Sequence, residues 1–102
     1  MIRFKAVDFD ELAEHLTTDE FARVLGLERP RGRGNYRCPM PGHDDENPSM
    51  SVFRNRKRTA ARCHGCGKTW TPVGLAGAVW GLPLHTAAER LARDAGLGWL
   101  IP

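Results

Sequence analysis

The sequence contains no long hydrophobic run and only three cysteines, and both features limit what the protein can be. No apolar stretch approaches the roughly 20 residues of a transmembrane helix, so we expect no contact with a membrane. The N-terminal segment becomes acidic and amphipathic too early for a secretory signal peptide, which predicts a reducing, cytoplasmic location. In such a compartment an odd number of cysteines indicates metal binding or chemistry rather than disulfides.

The composition is that of an ordinary folded chain. Hydrophobic residues make up 41% and charged residues 26% of 102 residues, which fits one small domain and excludes wholesale disorder. We expect three parts within that domain: an N-terminal helical segment at residues 1–28, a metal-binding ribbon at residues 29–70 and C-terminal helices at residues 71–102.

The basic charge is concentrated in the middle of the chain. Residues 29–68 hold ten Arg and Lys against three acids, whereas residues 1–28 hold three against seven. Eight of the ten basic residues are arginines, which favour bidentate phosphate contacts and base stacking over simple solvation. The segment therefore predicts a nucleic-acid partner.

Capping residues and apolar spacing predict four helices. Asp8 or Asp10 can begin the first, which runs to about Leu16, and Thr17 can begin a second that ends at Gly26. Thr71 followed by proline predicts a third helix, ended by a Gly-Leu-Pro sequence. A last helix is expected at about residues 85–95, with Leu84, Ala88, Leu91, Ala92 and Ala95 facing inward.

Two short strands are predicted between the second and third helices. Residues 49–53 alternate polar and apolar side chains, residues 54–58 form a charged turn, and residues 59–62 return toward Cys63. The predicted fold class is therefore small α+β: a zinc ribbon with a short antiparallel sheet, flanked by N- and C-terminal helices.

Two pairs of potential metal ligands flank the predicted strands, one pair before the first strand and one after the second. Cys38 and His43 have four residues between them, Cys63 and Cys66 have two, and nineteen residues separate the pairs. A Cys-x2-Cys turn presents two thiolates on one side of a tight loop, which suits tetrahedral zinc. His64 is an alternative to His43, but it lies inside the Cys63–Cys66 turn and would compete with those thiolates. With all four positions filled by protein, one structural zinc ion is expected, without hydrolytic chemistry.

The run from Cys38 to Val52 (CPMPGHDDENPSMSV), followed by Cys63-His64-Gly65-Cys66-Gly67, resembles the zinc-binding domain of DnaG-type bacterial and phage primases. The resemblance extends over about residues 7–97 and includes the helix after the ribbon. The Cys-x4-His spacing is longer than the commonest family form, and Trp70-Thr71 stands where the family usually has Gly-Asp.

The resemblance implies a chain that recognises single-stranded DNA template and assists primer initiation, with a primase catalytic subunit or a replicative helicase as partner. It implies no polymerase activity in this chain. The candidate nucleic-acid contacts are Arg37, Phe53, Arg54, Arg56, Lys57, Arg58, Arg62, Lys68 and Trp70. Phe53 and Trp70 have an alternative role as cover for the metal site and the core.

A second hypothesis is a protein-interaction module. The acidic N-terminal helices could bind host or mobile-element replication proteins without any direct contact with DNA.

Overall fold

The computed structural model of the chain describes residues 6–40 and 48–102. Within these ranges the elements follow the order α1 (Phe9–His15), α2 (Thr18–Leu25), β1 (Met50–Asn55), β2 (Arg58–Cys63), β3 (Lys68–Trp70), α3 (Pro72–Trp80) and α4 (Leu84–Asp94). A short 3₁₀ turn, Gly98–Leu100, follows α4. The α+β class with a short antiparallel sheet between helical segments is confirmed.

The first three helices begin and end at the residues that their sequences predict. Asp8 caps α1 by accepting from the amides of Asp10 and Glu11, and Thr17 caps α2 by accepting from the amide of Glu20. Thr71 caps α3, with proline at its first position. Gly26 and Gly81 end α2 and α3 with left-handed φ angles of 65° and 66°.

The strands β1, β2 and β3 form one antiparallel sheet in that order. A two-residue turn joins β1 to β2, and its residues Arg56 and Lys57 have φ angles of 51° and 67°. Positive φ at both central residues is the geometry of a type I′ turn, whose twist matches the flanking strands. The turn is shorter than the predicted residues 54–58, so both strands reach further.

Strand pairing divides the sheet into two faces. Met50, Val52 and Arg54 lie on one face together with Cys63, Ala61 and Thr59, and we call this the core face. The helices α1 and α3 contact β2, and α2 contacts β1. Met50, Ala61 and Cys63 are fully buried there, in one cluster with Leu12, Phe21, Leu75 and Leu91.

The opposite face of the sheet, here the outer face, is polar and partly open. Its members are Ser51, Phe53, Asn55, Arg58, Ala60, Arg62 and Thr69. Phe53 is half-buried but does not pack against the buried cluster, unlike its neighbour Val52. The sheet therefore has one face for packing and one that is available for contacts.

Two features of the C-terminal half differ from the sequence predictions. The strand β3 was not expected, because its three residues are too few to show alternation. The prediction that Leu84 faces inward is wrong: its side chain is 51% exposed, and Ala87 is buried instead. Leu84 is the first residue of α4 and lies over Gly77, which offers no side chain to cover it.

Candidate metal centre and basic surface

The Cys63–Cys66 turn has the backbone geometry of a metal knuckle. Cys63 ends β2, and the amide of Gly67 donates to the carbonyl of Cys63 over 2.8 Å, with Gly67 at a left-handed φ of 73°. The amide of Cys66 points to the sulfur of Cys63 at 3.3 Å. Such N–H donors stabilise a thiolate and hold it toward a ligand site.

Cys38 arrives from the other half of the site. The chain before it is fixed to the sheet, because Tyr36 and Met50 exchange backbone hydrogen bonds of 2.7 and 2.9 Å. The sulfurs of Cys38 and Cys66 lie 3.9 Å apart, and all three cysteine sulfurs are within 4.8 Å of one another. Zinc–sulfur bonds of about 2.3 Å in a tetrahedron separate the sulfurs by about 3.8 Å. The three thiols therefore fit a tetrahedral metal ion.

The protein environment distinguishes the thiols electrostatically. Burial raises the pKa of Cys38, and the neighbouring sulfurs of Cys63 and Cys66 raise it further. Burial also acts to raise the pKa of Cys63, but hydrogen bonds from the Ser49 hydroxyl and the Cys66 amide outweigh it and lower that pKa to about 7. Cys63 is thus better prepared than Cys38 to bind as a thiolate.

Of the two candidate histidine ligands, the structure describes only His64. His43 lies outside the described residues, so its ligand role stays a prediction. Among the described residues, the cluster that could hold a metal ion contains Cys38, Cys63 and Cys66 but not His64. The Nε2 atom of His64 is 3.2 Å from the hydroxyl of Ser51, a member of the outer face. His64 is therefore engaged away from the thiols.

Arg54 is exposed, but its guanidinium makes hydrogen bonds within the protein. Its Nη1 atom donates to the carbonyl of Leu16 and the hydroxyl of Thr59, at 3.0 and 3.1 Å. Its Nη2 atom donates to the carbonyls of Glu14 and Lys57. The guanidinium thereby satisfies the C-terminal carbonyls of α1 and ties the helix to the hairpin. A contact between Arg54 and nucleic acid stays a prediction.

The other candidate contacts fall into two groups. Arg58 lies 3.5 Å from Asp10 and 3.7 Å from Glu14, and Arg37 lies 3.5 Å from Glu28, so acids balance both charges. In the part of the chain that the structure describes, Arg56, Lys57, Arg62 and Lys68 form no ion pair. This second group lies at the hairpin tip, on the outer face and on the edge strand β3.

The two candidate aromatic residues are separated by the sheet. Trp70 pairs with Ala61 on the core face and packs against the buried cluster, with the Lys68 ammonium 4.8 Å from its ring centre. Its indole Nε1 is buried and has no hydrogen-bond partner among the described residues. Phe53 lies on the outer face, among Ser51, Arg62 and Thr69. Trp70 therefore covers the core, whereas base stacking by Phe53 stays a prediction.

Sequence reasoning missed two serines that contact the Cys63–Cys66 turn. The hydroxyl of Ser49 is 3.6 Å from the sulfur of Cys63, while Ser51 contacts His64. The alternation Ser-Met-Ser-Val was interpreted only as a strand pattern. Its pairing with the Cys63 knuckle could be found only from the strand register.

Comparisons with known protein families, with curated proteins and with solved structures found no match to this chain. None of the helices in the described residues is long and apolar enough to cross a lipid bilayer.

Proposed function

We propose that the protein is a zinc module that binds single-stranded DNA and assists primer initiation by a separate catalytic subunit. One structural zinc ion is held by Cys38, Cys63 and Cys66, with His43 as the fourth ligand. The ion fixes the end of the sheet, and the outer face and hairpin tip contact the strand.

The choice of zinc is supported by the donor set. Three thiols within 4.8 Å of one another form a soft site, which favours zinc over magnesium or calcium. Cys38 and Cys63 are buried, and Cys66 is exposed. A fourth protein ligand would complete the shell and leave no position for a reactive water, as in structural zinc sites.

The observation that carries the proposal is the outer face of the sheet. Phe53 has an aromatic ring outside the core, and Arg62 on the neighbouring strand has no ion pair among the described residues. Arg62 is held in place because it donates to the hydroxyl of Thr69 at 2.9 Å. An aromatic ring beside a fixed arginine is the arrangement that binds unpaired bases and their phosphates.

The hairpin turn gives a second support. A type I′ turn favours Asn-Gly, because side chains other than glycine and asparagine are disfavoured at positive φ. Here Arg56 and Lys57 occupy both positions and are exposed to solvent at the tip. Two cations at positions with a conformational cost support a role for charge at this place.

A salt-dependent titration tests the proposal. Labelled oligo(dT) is titrated with the zinc-loaded protein, and fluorescence anisotropy gives the affinity at each salt concentration. Three to five phosphate contacts predict a slope of log K against log salt of roughly −2 to −3.5. Arg62→Gln should make the slope shallower by about 0.7.

The matched control is Arg93→Gln on α4, which removes one exposed arginine far along the chain from the sheet and should leave the slope unchanged. Absence of binding at low salt would refute a role in DNA binding.

A second candidate function is protein docking through α1 and the C-terminal 3₁₀ turn. Trp99 is 64% exposed, and its ring contacts the edge of His15 at 4.9 Å between centroids. On the same helix Glu11 is exposed and forms no ion pair among the described residues, and such an acid would suit a basic partner surface. In the same titration, this function predicts no oligonucleotide binding while the zinc site remains intact.

A further inference from the structure

The loop before the metal site contains two arginines that the predicted DNA contacts do not include. Arg31 and Arg33 belong to residues 31–35 (RGRGN), which we call the RG loop. A cleft of about 400 Å³ lies beside it, lined by Arg31, Arg33, Gly34, Asn35 and Pro48. This volume is within the range of small-molecule pockets, about 300–1,000 Å³.

The RG loop is held in place by Arg29 rather than being a free tether. The guanidinium of Arg29 lies 4.5 Å from the ring centre of the buried Tyr36, and its Nε donates to the carbonyl of Gly34 at 3.0 Å. The amide of Gly32 donates back to the carbonyl of Arg29 at 2.9 Å. Arg29 therefore has a structural role, and the cleft is formed before any ligand arrives.

The cleft offers donors of hydrogen bonds without matching acceptors. In residues 6–40 and 48–102, neither Arg31 nor Arg33 forms an ion pair. Within the same ranges, the successive amides of Arg33, Gly34 and Asn35 have no acceptor. Gly32 and Gly34 have left-handed φ angles of 67° and 76°, a backbone in which consecutive amides can surround an anion.

We propose that the RG loop binds a phosphate group of a nucleotide, either free or within a nucleic-acid strand. Two arginine side chains and adjacent amides can share the several oxygens of one tetrahedral phosphate. A carboxylate has only two oxygens and would leave donors without a partner. This site shares no residue with the outer face and does not depend on binding there.

Amide chemical shifts of the zinc-loaded, ¹⁵N-labelled protein test the site directly. The probes are sodium phosphate, ATP without magnesium and an oligo(dT) octamer, with sodium acetate as the carboxylate probe. We expect saturable shifts at the amides of Arg33, Gly34 and Asn35 with the phosphate probes and none with acetate. Tighter binding of ATP would identify a free nucleotide as the source, and tighter binding of the octamer would identify strand phosphate.

The variant Arg31→Gln/Arg33→Gln should weaken binding of ATP or the octamer by about tenfold or more. The matched control, Arg90→Gln/Arg93→Gln, removes two positive charges from α4 and should keep the affinity of the unmodified protein. Phe53→Ala should keep the ATP-induced shifts at the RG loop, whether or not the outer face binds DNA. Unshifted RG-loop amides in the unmodified protein, or equal affinity in the two double variants, would overturn the proposal.

Discussion

The two faces of the sheet contain different side chains, although they are made by the same three strands. The core face buries Met50, Ala61 and Cys63 under the helices, whereas the outer face keeps Phe53 and Arg62 outside the buried cluster. Successive residues of a strand point to opposite faces. Neighbours such as Val52 and Phe53 can therefore serve stability and binding separately.

The cluster of three cysteines is joined to the core face through Cys63. Cys63 is fully buried and pairs across the sheet with Met50. Its neighbour Arg62 is exposed on the outer face. An ion bound at Cys63 would therefore fix the strand that presents Arg62 without lying in the path of a ligand.

The largest effect is expected from removal of the metal, which should unfold the protein and so disrupt both faces of the sheet. A structural zinc contributes about 10–16 kcal/mol of apparent binding free energy, comparable to the whole stability of a small domain, about 5–15 kcal/mol. We expect a strong chelator, or Cys63→Ser, to abolish the cooperative thermal transition seen by circular dichroism. A melt unchanged by chelation would contradict the metal site.

The fourth ligand is tested by a pair of histidine variants. His43→Ala should lower the zinc content measured by mass spectrometry under native conditions, because a three-thiol site lacks its last donor. His64→Ala should retain one zinc per chain, since His64 contacts Ser51 rather than the thiols. The reverse result would transfer the ligand role to His64.

Removal of a side chain from the core face should lower the unfolding free energy of the protein more than removal of one from the outer face. Arg54→Ala leaves the carbonyls of Glu14 and Leu16 without their guanidinium donor, which we expect to cost about 2 kcal/mol of unfolding free energy. Arg62→Ala on the outer face should change stability by no more than about 0.5 kcal/mol. Urea denaturation of the two variants measures both, and equal losses would remove the distinction between the faces.

A change at the hairpin tip should raise stability while it lowers binding. Replacing Arg56→Asn together with Lys57→Gly supplies the residues that a type I′ turn favours, and we expect a gain of about 1 kcal/mol. The same change removes two exposed cations and should weaken oligo(dT) binding at low salt. A variant that is more stable but binds DNA equally well would exclude the tip as a contact.

The helices could be predicted from sequence because their ends depend on local chemistry. Thr17, Gly26 and Thr71 act within a few residues of their own positions. The spacing of Thr17 and Glu20 also fits a capping box, but only the Thr17 half is formed, since the carboxylate of Glu20 pairs with Arg23 at 2.5 Å. That competition between two partners is not visible in the spacing.

The roles of the basic residues could not be predicted, because they depend on contacts between distant segments. Arg54 reaches the end of α1, about forty positions earlier in the chain, and Arg58 reaches Asp10 and Glu14. The amino-acid composition of the segment does not distinguish these arginines from Arg62. Only the contacts made in the folded chain separate arginines that hold α1 from an arginine that faces solvent.

The most direct test of the account compares Val52→Ala with Phe53→Ala in thermal melts and oligo(dT) titrations of the zinc-loaded protein. Val52→Ala should lower stability by about 1 kcal/mol and leave the affinity of the folded protein unchanged. Phe53→Ala should change stability by less than about 0.5 kcal/mol and weaken binding by about 1–3 kcal/mol, through the loss of base stacking. Unchanged affinity in Phe53→Ala, or equal losses of affinity in both variants, would contradict the claim that the outer face binds single-stranded DNA.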